Sequence, residues 1–373
     1  MEERRSLLSS MAWKRLLQYL CDLLISQNSM FSNFCHVLNK NIKNIYYSPA
    51  GEFNNISIES LPLPEDSGKT LAAKYNIYRV SSTREIIGTT MAVDGRDAIV
   101  FGGLSYDTSL EELEEDSKKY TSSRAITINN PSDVDSKAIR AVIKDIPYLE
   151  GTLSEAETIT STINASGNSI LNAVSVTGPA GTEASFKALD GKNKRIIHIA
   201  THGFYLKQKE YDQIVKTSER GNDRMSGEDK SLMRSGLFFA GALNKYIGEE
   251  IPEGVEDGIL TSQEIANMDL SGLDLCTLSA CQTAQGDISS EGVYGLQRGF
   301  KKAGAKSILM SLWKVDDEAT SLMMTEFYKH WITERLSKYQ ALELAKQAVR
   351  SHVEKGWNKP QYWASFILLD GIN

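Results

Sequence analysis

Three short runs dominate the second half of the chain: RIIHIA at residues 195–200, LDLCTL at 273–278 and KSILMSL at 306–312. Each is apolar along almost its whole length rather than at alternate positions. A strand that is apolar on both sides is buried on both faces, which happens in parallel sheets covered by helices. Helical spacing fills the intervals, at 182–189, 262–267, 291–303, 317–332 and 336–353, and a last strand is predicted at 363–369. The expected fold is α/β: a mainly parallel sheet with helices on both faces.

The first half is read the same way. Residues 42–47, 75–80 and 98–101 are expected strands, the first closed by the turn Ser48-Pro49-Ala50-Gly51 and the last by Gly102-Gly103. Residues 154–163 form an expected short helix, capped by Thr152 or Ser154, with Glu155 and Glu157 in its first turn. The charged stretch 111–120 reads as a solvated helix face. Leu7, Met11, Leu16, Leu17, Leu20 and Leu24 give helical spacing over 3–26, and residues 207–230 read as a long polar, mobile loop. No repeat of 20–50 residues argues for a solenoid.

Charge and cysteine content exclude several functions. With 41 basic and 48 acidic residues the chain carries a net −7. It has no basic footprint for nucleic acid or an anionic membrane surface. No run of about 20 apolar residues predicts a transmembrane helix, and Glu2 and Glu3 spoil a basic leader. Four cysteines, Cys21, Cys35, Cys276 and Cys281, are too few for a disulfide scaffold, and none forms a C-x-x-C pair. Reduced thiols, a cytoplasmic location and the absence of a metal or organic cofactor are expected.

In an open parallel sheet, reactive groups gather beyond the carboxyl ends of the strands. One such end carries Thr201-His202-Gly203 and another Ser279-Ala280-Cys281. If these strands are neighbours, a thiol and an imidazole meet at the rim, where the imidazole favours the thiolate and later protonates a leaving amine. Gly203, without a Cβ, lets its N–H approach a carbonyl oxygen, and with the Cys281 N–H it makes a candidate oxyanion hole. The competing reading is structural: a cysteine at a strand end as a small apolar residue, and His-Gly as a turn. His198, four residues before His202, is expected in the core or behind the site, because in a strand the two imidazoles lie about 13 Å apart. Cys276, mid-strand, is expected to be buried and inert.

Residues 196–205 (IIHIATHGFY), 257–269 (DGILTSQEIANMD), 275–286 (LCTLSACQTAQG), 291–304 (EGVYGLQRGFKKAG), 311–320 (SLWKVDDEAT) and 361–370 (QYWASFILLD) resemble the CHAT family. That family is a branch of the caspase-like cysteine peptidases, related to separase and the caspases. Residues 46–61 and 75–83 resemble it more loosely. The resemblance implies His202 as catalytic base and acid, Cys281 as nucleophile, and cleavage of a protein or peptide after a particular P1 residue. The helical spacing gives an N-terminal helical segment over 1–40, and the resemblance implies a non-catalytic caspase-like half over 41–178 and a catalytic half over 179–373. Members often carry tetratricopeptide repeats, and only one or two helices are predicted before residue 40. Either the chain is a compact form or its regulator is a separate protein; control by a partner or by loop ordering is expected.

Ser279, Asp316 and Asp317 are the candidate substrate-binding residues. Asp317 best matches an acidic residue of separase, which cleaves after Arg. Asp316 or Asp317 also suits the N-cap of the following helix, and an apolar pocket from Leu312 and Trp313 is the alternative. The rival to a peptidase is a catalytically silent caspase-like scaffold that docks partners.

Overall fold

The computed structural model describes residues 42–63, 66–87, 94–120, 145–169, 171–206, 232–279, 290–313 and 315–372. The expected helix over 3–26, the expected loop over 207–230, Cys21, Cys35 and Cys281 lie outside these residues. The chain forms two compact units, Met1–Ile45 with Lys74–Asn76, and Tyr46–Ala73 with Ile77–Asn373. In the described part of the first, the side-chain amide of Asn76 donates to Asn44 Oδ1 at 2.8 Å. All that follows concerns the second.

Its strands are β1 (Asn44–Tyr47, of which Tyr46 and Tyr47 belong here), β2 (Pro62–Leu63), β3 (Asp66–Thr70), β4 (Asn76–Arg79, of which Ile77–Arg79 belong here), β5 (Arg96–Leu104), β6 (Ala173–Gly178) and β7 (Lys194–Ile199). They continue with β8 (Gly203–Tyr205), β9 (Ser235–Phe238), β10 (Ile259–Thr261), β11 (Leu275–Leu278), β12 (Ser307–Ser311) and β13 (Phe366–Leu369). Eight of them make the main sheet, in the order β1-β4-β13-β12-β11-β7-β5-β6. The central strands are parallel and β13 runs antiparallel to β12. Strands from before and after residue 178 thus share one sheet.

Helices cover both faces. On one side pack α2 (Glu150–Ala165), α7 (Asp317–Tyr328) and α8 (Lys338–Ser351), through Ala156, Ile159, Met323, Phe327, Leu342 and Ala345. On the other pack α3 (Glu183–Lys187), α5 (Ser262–Ala266) and α6 (Ser290–Ala303), through Phe186, Ile265 and Phe300. Two apolar layers explain why the central strands are apolar throughout. Helix α1 (Leu110–Tyr120) precedes these helices in sequence, and α4 (Ala242–Ile247) lies between α3 and α5.

Several boundaries differ from the sequence expectation. β5 does not stop at Gly102-Gly103 but runs through to Leu104. These glycines let α2 cross close over the strand: a Cβ on Gly102 would fall 2.3 Å from Thr152 O, and Gly103 has φ +61°. Helix α2 starts four residues earlier than expected. Thr152 is inside it, accepting the Gly103 N–H at 2.9 Å, and neither Thr152 nor Ser154 is the cap. The helix expected over 317–332 changes to a π turn at Lys329–Thr333. In α1 the charged face is largely solvated, but Asp116 is buried and accepts a short hydrogen bond from Thr182 Oγ1.

The three-stranded antiparallel sheet β10-β9-β8 has no counterpart in the sequence reading. Beside it, Glu183, Glu256 and Glu264 converge on the Lys187 ammonium at 2.7, 2.7 and 2.9 Å. The acidic cluster therefore carries its own cation. Among the described residues no helix is long and apolar enough to cross a membrane.

Candidate active site

The register of the central strands sets the site. β7 and β11 are adjacent and parallel, with Ile199 opposite Leu278. His202 and Cys281 each lie three residues beyond that last pair. The ladder is prolonged at the rim by Ser279 N–H donating to Ile199 O at 3.0 Å and Ala200 N–H donating to Phe101 O at 2.8 Å.

His202 is buried, and its Nε2 lies 2.7 Å from Pro147 O. A carbonyl oxygen only accepts, so Nε2 carries a hydrogen and, in the neutral ring, Nδ1 is the basic nitrogen. The Tyr106 ring packs on the imidazole at 5.2 Å between centroids. Its hydroxyl oxygen lies 3.4 Å from the His202 N–H and 2.9 Å from Thr201 Oγ1. Burial pushes the Tyr106 phenol up to about 12, aided by the nearby Tyr148 and the Asp317 carboxylate, so it stays protonated at neutral pH. The sequence reading missed Tyr106 and Pro147: both lie in connecting segments far from residue 202 in the chain and fit no motif.

Gly203 opens β8. Phe238 N–H donates to His202 O at 2.9 Å, and Gly203 stands opposite Leu237. That makes 203/237 a non-hydrogen-bonded pair, whose main-chain groups turn away from the partner strand. Because β8 is an outer strand, the Gly203 N–H points off the sheet edge. Nothing in the described fold demands glycine there, since an added Cβ would meet no atom closer than 3.5 Å.

Ser279 is buried and donates a short hydrogen bond to Glu155 Oε1. His198 Nε2 lies 2.9 Å from the same oxygen, in a geometry that is not that of a hydrogen bond. The His198 ring meets Tyr328 edge-on at 5.6 Å, and the Tyr328 hydroxyl lies 3.0 Å from Thr277 Oγ1. Burial pushes the Tyr328 phenol far above its ordinary range. Glu155, read from sequence as a first-turn acid, is thus a fully enclosed anchor beneath the β11 rim. Cys276 is buried mid-strand.

The two aspartates part company. Asp316 is the N-cap of α7, its Oδ1 accepting the Ala319 N–H at 3.1 Å. Asp317 is in the first helical turn, against the start of α2 and near Tyr106: a Cβ added at Gly151 would lie 3.8 Å from Asp317 Cβ. Leu312 is in the core, and Trp313 Nε1 donates to Gln361 O at 3.1 Å.

Comparison with known proteins agrees with this architecture. The chain is 32% identical over 111 residues to Tetratricopeptide repeat protein 28 of Mus musculus, covering 30% of this chain and 4% of that one. It is 30% identical over 124 residues to the Homo sapiens protein of the same name, covering 33% and 5%. The chain therefore spans only about a twentieth of these relatives. The CHAT domain model matches residues 10–371, almost the whole length. This chain belongs to the CHAT-domain family, which is related to the caspase-like cysteine peptidases.

Proposed function

We propose that the protein is a cysteine endopeptidase that cleaves a protein substrate through a Cys281–His202 dyad. The observation that carries this reading is the His202 imidazole, whose Nε2–H is committed to Pro147 O at 2.7 Å, leaving Nδ1 as base at the rim where the neighbouring strand ends in Ser279, two residues before Cys281 in the sequence. The thiol proton passes to Nδ1 and the thiolate adds to the scissile carbonyl carbon. The resulting oxyanion is received by the N–H groups of Gly203 and Cys281. The imidazolium then protonates the leaving amine, and His202 removes a proton from the water that hydrolyses the thioester. No step calls on a metal or organic cofactor.

Asp317 is the proposed P1-specificity residue, receiving a basic side chain, bidentate for Arg. Asp317→Asn is expected to cut cleavage after Arg at least tenfold relative to Leu while leaving the melting temperature nearly unchanged. Asp316→Ala is expected to cost about 1 kcal/mol of stability through the lost cap, with P1 preference intact. Matched Arg and Leu peptides and thermal melts check both; an unchanged Arg preference in Asp317→Asn removes the specificity claim. Ser279, turned toward Glu155, supports the rim, and the substrate contact is assigned to Asp317.

The matched relatives are named for tetratricopeptide repeats, stacked helix pairs that offer extended concave surfaces to partners. A regulatory partner of that kind fits a peptidase whose own chain supplies the dyad. Its thiol chemistry suits a reducing compartment such as the cytoplasm.

Thiol alkylation at neutral pH, mapped by residue, tests activation without a known substrate. Cys281 is expected to react at least tenfold faster than Cys276, Cys21 and Cys35, and to lose that advantage in His202→Ala. Uniform reactivity would favour the silent scaffold.

A further inference from the structure

The hydroxyls around His202 form a chain whose direction can be worked out. Thr201 Oγ1 lies 2.5 Å from Phe238 O, and a carbonyl oxygen only accepts, so the single Thr201 hydroxyl proton is committed there. Thr201 must then accept from Tyr106, whose proton goes to Thr201 Oγ1 at 2.9 Å. The Tyr106 oxygen keeps its lone pairs for the His202 N–H at 3.4 Å. Tyr106 is itself pinned: its carbonyl accepts the Leu243 N–H at 2.9 Å, and the Ser105 carbonyl accepts the Gly241 N–H at 3.1 Å. One buried side chain therefore touches His202 twice, through the main chain and through a tilted ring contact.

We propose that Tyr106 is a positioning residue for His202: its hydroxyl fixes the main chain at 201–202, and its ring holds the imidazole in the orientation that keeps Nε2–H on the Pro147 carbonyl. This rests on His202 as the base of the proposed peptidase. Without the ring, the imidazole can rotate off Pro147 O and exchange tautomers, and the basic nitrogen no longer has a fixed direction. Without the hydroxyl alone, the His202 N–H and Thr201 Oγ1 each lose a buried partner while the ring contact survives. The phenol, held protonated by burial, acts as the same donor across the neutral range.

The test is ¹⁵N-histidine NMR of Cys281→Ala protein above pH 8, with the His202 signal identified by its loss in His202→Gln, alongside kinetics in the native background. The Nε2–H form is expected to dominate with Tyr106 present and to give way to a tautomer mixture in Tyr106→Leu. Tyr106→Phe, which preserves the packing, is expected to keep the tautomer and lower kcat about tenfold. Tyr106→Leu is expected to lower kcat about 100-fold, the scale of a 1 Å misplacement, with KM changed less than threefold. A folded Tyr106→Leu protein with an unchanged His202 signature overturns the assignment whatever the kinetics show. If Tyr106→Leu does not fold, full kcat in Tyr106→Phe overturns it instead. A changed signature in a protein whose native form cleaves nothing supports the positioning role and counts against the peptidase reading.

Discussion

His202→Ala is expected to lower kcat/KM for a cleaved peptide by on the order of 10³-fold, within the range for loss of a general acid–base. Cys281→Ala is expected to abolish turnover, and the double variant to be no worse than Cys281→Ala, because the two groups act as one unit. The fold should survive, since the bond from the His202 ring to the Pro147 carbonyl ties the imidazole to a connecting segment and not to the central strands. Steady-state kinetics with thermal melts of the three variants check this. A fully additive double variant would mean that thiol and imidazole serve separate steps.

Glu155→Ala is expected to be the most destabilising substitution near the site, by about 1–3 kcal/mol, the cost of leaving a buried polar group without its partner. It takes the acceptor from Ser279 Oγ and the carboxylate beside the His198 imidazole, both enclosed by the β7–β11 sheet and α2. Glu155→Gln keeps an oxygen for Ser279 and should lose less than half as much. Denaturant titrations of the two variants decide it: a loss under 1 kcal/mol for Glu155→Ala would show the cluster to be solvated.

The parts of the fold readable from sequence were those with uniform burial. Leu275–Leu278 and Ser307–Ser311 are covered on both faces, so local apolarity reports them. The strands β8, β9 and β10 have three or four residues each, and β9 pairs with segments lying more than 20 residues away on either side, so no local periodicity marks them. Phe366–Leu369 reads as a strand, but nothing local sets its antiparallel direction against β12. Glu155 looked like an ordinary helix-start acid, because its partners His198 and Ser279 lie 43 and 124 residues away. Tyr106 was hidden for the same reason. His202 and Gly203 were readable as a strand-end motif, whereas the choice between Asp316 and Asp317 as cap needed the helix geometry. The outer strands and the loops that reach the histidine depend on long-range packing that one sequence does not display.

The measurement that bears most directly on the account is a peptide library with varied P1 residues, digested by the native protein and by Cys281→Ala and read by product mass. Paired hydrolysis products cut after one P1 class are expected from the native protein and none with Cys281→Ala. Turnover retained in Cys281→Ala, or ligated and deamidated products in place of hydrolysed ones, would contradict it.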